Sequence, residues 1–169
     1  NYKHFKNLLG TFYPPDNIHI CSRFFKTLSE KDFESGLGEV IKFNVMIGKM
    51  GLERIEKNIE NLLQRDPKRL DEFVLNSLSF KKVYIEEDEF DRGKRLHLNF
   101  AHTFGHAFES LTDYAIPHGT AVAMGMIVAN RISFARGYLE EDLVVRIERI
   151  LRMIIHVESK YLVIDMDNI

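Results

Sequence analysis

The sequence predicts a mainly α-helical domain that begins with a short β-hairpin. From residue 29 onward, apolar residues recur every three or four positions, as in Leu52, Ile55 and Ile59. This spacing is the period of an amphipathic helix. Only Pro67 and Pro117 interrupt this part of the chain. We therefore expect residues 29–169 to form one helical unit.

Residues 1–28 have a different pattern, which predicts a β-hairpin or connector. Pro14, Pro15 and the Asp16–Asn17 pair separate an opening run from the short β-like stretch IHICS, as turn residues separate paired strands. Two strands alone are only marginally stable. We therefore expect this segment to pair with sequence that precedes residue 1.

The helices can be placed individually from the apolar period and from their start signals. Ser29 with Asp32 three residues later predicts a capped start, and Asp66 before Pro67 predicts a second one. The charged residues of 86–95 predict a solvent-exposed loop. Small residues between Gly119 and Ala129 favour close helix packing. We expect helices near 30–47, 50–64, 67–86, 98–112, 119–136 and 140–156.

Composition excludes several classes of function. Lys and Arg total 23 against 25 Asp and Glu, a net charge of −2, so the basic excess typical of nucleic-acid binding is missing. The single cysteine, Cys21, removes thiolate zinc sites. No apolar run approaches the ~20 residues that span a bilayer. We expect a cytoplasmic protein with neither nucleic acid nor membrane as a partner.

Polar residues concentrate between positions 95 and 118. If residues 95–109 are helical, five polar side chains fall within a stripe of roughly 80° on an otherwise apolar surface: Arg95, Asn99, His102, His106 and Glu109. Burying them without partners would cost several kcal/mol, so this face is expected to line a cleft or hold a ligand. The alternative is that the histidines merely bond to neighbouring carbonyl groups.

Histidine spacing and a nearby acid indicate a metal site. His102 and His106 lie four residues apart on one helix face, and His118 follows at the start of the next helix. Glu39 and Lys42 lie three residues apart in the apolar sequence SGLGEVIKF, where an acid is usually paired or metal-bound. Two or three histidines with one glutamate are typical of catalytic zinc. The spacing does not name a reaction.

Five segments together resemble a known family. The segments KNLLGTFYPP, SGLGEVIKF, the run from Lys81 through the acidic residues to GKRLHLNF, AHTFGHAFE and HGTAVAMGM occur in this order. They resemble the C-terminal domain of the 3-dehydroquinate synthase family from about residue 6 to residue 137. Related sugar-phosphate cyclases share this outline. Metal-dependent polyol dehydrogenases of the glycerol dehydrogenase type resemble it more distantly.

The resemblance implies a role for individual residues. Glu39, His102 and His118 match the zinc ligands, which could also hold another divalent metal such as cobalt. His106 then becomes a substrate contact and catalytic residue rather than a ligand. Four further residues match positions that surround the substrate and are implied to be catalytic: Lys42, Lys81, Arg95 and Asn99. Asn7, with Lys6 beside it, matches the element near the substrate phosphate.

The resemblance also implies a reaction and its cofactors. NAD accepts a hydride from a ring alcohol of a seven-carbon keto-acid sugar phosphate, phosphate is eliminated, the hydride returns, and an aldol step closes the ring. The family binds NAD mainly through a preceding N-terminal domain, so we interpret the chain as the C-terminal part of an enzyme that is expected to be a homodimer when full length. We expect the chain to be inactive alone. Thr120 stands where the family usually has Glu.

Two cations help to distinguish the related activities. A substrate carboxylate needs fixed positive charge, which Lys81 and Arg95 could supply, whereas neutral sugar phosphates have no such need. Either side chain could instead be a surface charge beside the acidic loop. If the protein were a polyol dehydrogenase, it would still bind a metal and NAD, but its substrate would not require these cations. A non-catalytic scaffold is the third alternative, and it need not bind a metal.

Overall fold

The computed structural model describes Tyr13, residues 16–89, residues 92–158 and Tyr161. It confirms the mainly helical fold. Six α-helices are present in this part of the chain: α1 (Glu30–Ile47), α2 (Lys49–Leu63), α3 (Pro67–Glu87), α4 (His102–Leu111), α5 (His118–Ala135) and α6 (Glu141–Arg152). Two 3-10 helices, Ser22–Thr27 and Lys94–Asn99, precede α1 and α4.

The predicted helix starts of α1 and α3 are confirmed. The Ser29 side chain accepts a hydrogen bond from the Asp32 backbone N–H at 3.1 Å. The Asp66 side chain accepts one from the Arg69 N–H at 2.8 Å, and Pro67 occupies the first turn. Each contact satisfies one of the backbone donors that have no partner within the helix.

Helix α5 is central and packs against α1, α4 and α6. Its first two turns are almost entirely buried. Side chains from α1, α2, α3 and α6 complete one continuous apolar core, which includes Ile41, Ile55, Phe73, Met126 and Ile150. The small residues predicted to allow close packing do so at Gly125, where an added Cβ would lie 2.4 Å from the Ala101 carbonyl oxygen.

The predicted β-hairpin is not observed among the described residues. Residues 16–21 contain no strand, and a 3-10 helix follows at Ser22–Thr27. The opposing half of the predicted hairpin lies outside the described residues. Helix α6 also ends at Arg152, earlier than expected, and the described residues that follow form a turn and an irregular segment.

The helix predicted over 98–112 is wrong in its first turn. Residues Lys94–Asn99 form a 3-10 helix, and Ala101 adopts a left-handed conformation with φ 67° immediately before α4 begins. In a continuous α-helix the Leu98 carbonyl would accept the His102 N–H. Instead, Leu98 O accepts a hydrogen bond from Lys42 Nζ at 3.1 Å. A long-range contact therefore takes the place of the helical one.

None of the helices in the described part of the chain combines the length and apolarity needed to cross a bilayer.

Candidate metal centre and substrate pocket

Three side chains from three helices converge on one point. Glu39 lies on α1, His102 begins α4, and His118 begins α5. Glu39 Oε1 lies 3.4 Å from His118 Nε2 and 3.8 Å from His102 Nε2. One potential ligand atom from each residue lies within 4.8 Å of the others. Zinc ligands about 2.0–2.2 Å from the ion are roughly 3.3–3.6 Å apart, so the trio fits a divalent metal with little rearrangement.

A close crossing of α1 and α5 places His118 beside Glu39. The Gly119 N–H donates to Ser35 Oγ at 2.9 Å. An added Cβ on Gly119 would lie 1.8 Å from the Ser35 carbonyl oxygen, and one on Gly38 would lie 2.2 Å from the Gly119 carbonyl oxygen. Only glycine fits at either position, because real Cβ contacts are never this short. The two backbones therefore touch next to the candidate ligands.

The backbone orients the imidazole ring of His102. Its Nδ1 lies 3.0 Å from the Phe100 carbonyl oxygen. Because a carbonyl can only accept, Nδ1 carries the hydrogen and Nε2 keeps its lone pair. That lone pair is the one directed toward Glu39, as metal ligation requires.

Glu39 is held as a carboxylate. Burial by itself would raise its pKa, but contacts with His118, Lys42 and His102 lower the pKa from 4.5 to about 2. Its Oε2 pairs with Lys42 Nζ at 2.7 Å, whereas the buried Oε1 has no aligned hydrogen-bond partner among the described residues. A buried anionic oxygen without a donor is the kind of atom that a cation satisfies.

Lys42 is the buried cation of the site. Only 2% of the residue is exposed, and this burial lowers the pKa of its ammonium group, opposed by the nearby Glu39 carboxylate. Besides its ion pair with Glu39, Nζ donates to the Leu98 carbonyl. The two residues that lie three positions apart in the sequence therefore form an ion pair on one face of α1.

A cavity of about 400 Å³ opens beside these residues. The structure brings most of the sequence-predicted site residues to its wall, together with Phe43 and Leu98: Glu39, Lys42, Lys81, Arg95, Asn99, His102 and His118. Arg95 and Asn99 reach it from the 3-10 helix rather than from the continuous helical stripe expected. Lys42, Lys81 and Arg95 make the cavity suited to an anionic ligand.

His106 lies at the edge of this group rather than in the cavity wall. Its side chain is 59% exposed, and its Nε2 is 3.9 Å from Glu109 Oε2. Its ring centroid lies 5.4 Å from that of His102. Together with Glu109 and His118 it forms a second group close enough to hold a metal. The assignment of His106 as a substrate contact therefore stays a prediction.

Two further predicted substrate contacts, Lys6 and Asn7, lie outside the described residues.

Two acids have roles that the sequence analysis did not assign. Asp88 accepts hydrogen bonds from the backbone N–H groups of Arg92, Gly93 and Arg95, which lower its pKa. It thereby shapes the loop that carries Arg95, although its charged neighbours predicted only a solvated segment. Glu109 was noted as part of the polar stripe, but its buried contact with His118 on another helix could not be found from spacing.

The lowered pKa of Glu39 predicts a pH dependence for the metal-free protein. Because the folded pKa of about 2 lies below 4.5, Glu39 stabilises the fold above pH 4.5 and loses this contribution as the pH falls toward 2. Urea unfolding between these pH values should show a steeper loss of stability for the unmodified protein than for Glu39→Gln. Equal slopes would contradict the charge state assigned to Glu39.

The pKa of His118 is raised, so its contribution to stability depends on pH in the opposite direction to that of Glu39. The Glu39 contact raises it most, against the effect of burial, and Glu109 adds to the increase. Stabilisation by the protonated ring is present below pH 6.5 and is lost as the pH rises through the folded pKa. The pKa of His102 is instead lowered, mainly by burial.

The fold and the site together define a helical domain with a candidate Glu–His–His metal centre beside a cationic cavity. Residues 36–168 match the model for the 3-dehydroquinate synthase C-terminal family. The chain belongs to this family, which confirms the resemblance seen in its motifs.

Individual relatives agree with the family match. The chain is 36% identical over 168 residues to a 3-dehydroquinate synthase of Dictyoglomus turgidum, covering 98% of this chain and 47% of that protein. It is 40% identical over 152 residues to the Clostridium tetani protein of the same name, covering 90% and 41%. A third, from Pelobacter propionicus, is 41% identical over 147 residues, covering 86% and 41%. The chain spans about half the length of these curated relatives or less.

Proposed function

We propose that the protein containing this chain is a metal- and NAD-dependent lyase that converts a seven-carbon keto-acid sugar phosphate to 3-dehydroquinate with elimination of phosphate, the chemistry of the shikimate pathway. The observation that carries the proposal is a single cavity whose wall contains both candidate metal ligands and cationic side chains. The Glu39–His102–His118 trio meets the cations Lys42, Lys81 and Arg95 there. Family membership supports the same reaction.

In the proposal Glu39, His102 and His118 hold zinc, or another divalent metal such as cobalt. When bound, the metal would polarise a substrate hydroxyl, and NAD, held mainly by an N-terminal domain, would supply the hydride-transfer chemistry. The chain's own residues prepare this site. The Phe100 carbonyl fixes the His102 ring, and Lys42 holds the Glu39 carboxylate.

Lys42 also faces the substrate in this proposal. Its ammonium group has three N–H donors, and among the described residues Leu98 O and Glu39 Oε2 account for two. The third can donate to a substrate oxygen in the cavity that Lys42 lines. Because Lys42 is buried, its position is fixed before the substrate arrives, and this preorganisation favours binding.

Lys81 and Arg95 supply the charge for the substrate carboxylate. Arg95 Nη1 donates to the Glu89 carbonyl at 2.8 Å, and its backbone N–H is held by Asp88. These contacts hold Arg95, which lines the cavity, in a defined conformation. Asn99 adds an amide that can bond to ring hydroxyls, and Lys6 with Asn7 is proposed to contact the phosphate.

An assay of the full-length protein tests the proposal. With NAD and zinc, we expect phosphate release and ring closure from the seven-carbon keto-acid sugar phosphate. Lys81→Met should raise KM for this substrate by about 10-fold or more, because a charge-assisted contact of 1.5–3 kcal/mol is lost. Lys82→Met is the matched control, since Lys82 pairs with Glu86 on the exposed side of α3.

The other activities give different outcomes. Phosphate release only from sugar phosphates without a carboxylate would assign the protein to another cyclase. NAD-linked alcohol oxidation without phosphate release would assign it to the polyol dehydrogenases. Failure of the full-length protein to bind any divalent metal would favour the alternative of a non-catalytic scaffold domain.

A further inference from the structure

Glu109 is a buried carboxylate to which the family resemblance assigns no role. It lies on α4, and only 4% of its side chain is exposed. Its Oε2 lies 3.3 Å from His118 Nδ1 and 3.9 Å from His106 Nε2. An acid this deeply buried needs fixed partners. The position of the Glu109 carboxylate next to the His118 and His106 rings is therefore well determined.

His118 lies between two carboxylates. Its Nε2 faces Glu39 Oε1 at 3.4 Å, and its Nδ1 faces Glu109 Oε2 at 3.3 Å. A neutral imidazole carries one N–H, so the nitrogen that donates leaves a lone pair on the other. If the Nδ1–H of His118 donates to Glu109, the Nε2 atom of His118 keeps its lone pair. This lone pair and the Nε2 lone pair of His102 are then both directed toward Glu39 Oε1.

The two histidines are thus arranged alike. Phe100 O holds Nδ1 of His102, and Glu109 Oε2 faces Nδ1 of His118. His118 has the greater need for such a partner, because 43% of its side chain is exposed and packing alone does not fix its ring.

We propose that Glu109 is a positioning residue for the metal centre: it accepts the Nδ1–H of His118 and so presents Nε2 to the metal shared with Glu39 and His102. This inference rests on the proposed metal-dependent function. Outer carboxylates of this kind orient a ligating imidazole and increase its basicity, and their loss typically weakens metal binding 10–100-fold.

Metal affinity and ring geometry test the proposal in the full-length protein. Glu109→Leu should weaken zinc binding about 10–100-fold, measured by competition with a chelator. Glu109→Gln keeps an acceptor oxygen and should recover much of this loss. Asp113→Asn, which alters an exposed carboxylate just after α4, is the control and should leave the affinity unchanged.

A measurement on the unmodified protein does not depend on whether Glu109→Leu folds. In the cadmium-loaded protein with ¹⁵N-labelled histidine, NMR should show metal coupling to Nε2 of His118 and a hydrogen on Nδ1. Coupling to Nδ1 of His118 and to His106 would place the metal in the second group and overturn the inference. Unchanged zinc affinity in a folded Glu109→Leu protein would overturn it while leaving the metal centre in place, whereas no metal binding by the unmodified protein would overturn both.

Discussion

Replacing Gly119 with alanine is expected to abolish tight metal binding and to destabilise the fold. The new Cβ would lie 1.8 Å from the Ser35 carbonyl oxygen, so the start of α5 would have to move away from α1. Overpacking of this kind costs about 1–3 kcal/mol and occasionally more, and contact with rigid backbone favours the upper part of that range. The movement would also separate His118 from Glu39.

Gly36→Ala is the matched control, because Gly36 lies on α1, the other helix of this crossing, and an added Cβ there has no neighbour within 4 Å. It should bind zinc normally and be more stable by about 0.5–1 kcal/mol, since alanine favours the helix. Urea unfolding and zinc titration of both variants measure these effects. Normal zinc affinity in Gly119→Ala would show that the helix crossing does not position the ligands.

His102→Ala and His106→Ala should separate metal binding from substrate contact in the full-length protein. Removing His102 deletes a ligand of the proposed trio, so the metal and several kcal/mol of transition-state stabilisation should be lost, about a thousandfold or more in turnover. Removing His106 should leave about one metal per chain and lower turnover by about a hundredfold or more, as expected for an acid–base contact.

Metal analysis by mass spectrometry and steady-state kinetics measure both quantities. His19→Ala, at an exposed position before α1, serves as the control and should change neither. Equal loss of metal from both variants would make His106 a ligand and assign the ion to the group formed by His106, Glu109 and His118.

Local patterns were enough to predict much of the fold. The helices and two of their starts follow from apolar spacing and from caps such as Ser29 and Asp66, whose partners lie three residues away. The Glu39–Lys42 pair is likewise local. Such contacts depend on helix geometry alone, so the sequence contains the information needed to predict them.

The errors involve contacts between distant parts of the chain. The break before α4 depends on Lys42 taking the Leu98 carbonyl, and these residues lie 56 positions apart. A helical period cannot reveal this bond, so Arg95 and Asn99 were placed on the wrong element although they reach the expected cavity. Glu109 was visible in the stripe, but its partner His118 lies on another helix.

The most direct test of the account is the coordination of the metal in the full-length protein. Anomalous diffraction at the zinc edge should locate one ion bound by a carboxylate oxygen of Glu39 and by Nε2 of His102 and His118, each about 2.0–2.2 Å away. An ion bound instead by His106 or Glu109, or no ion in zinc-saturated crystals, would contradict the central claim.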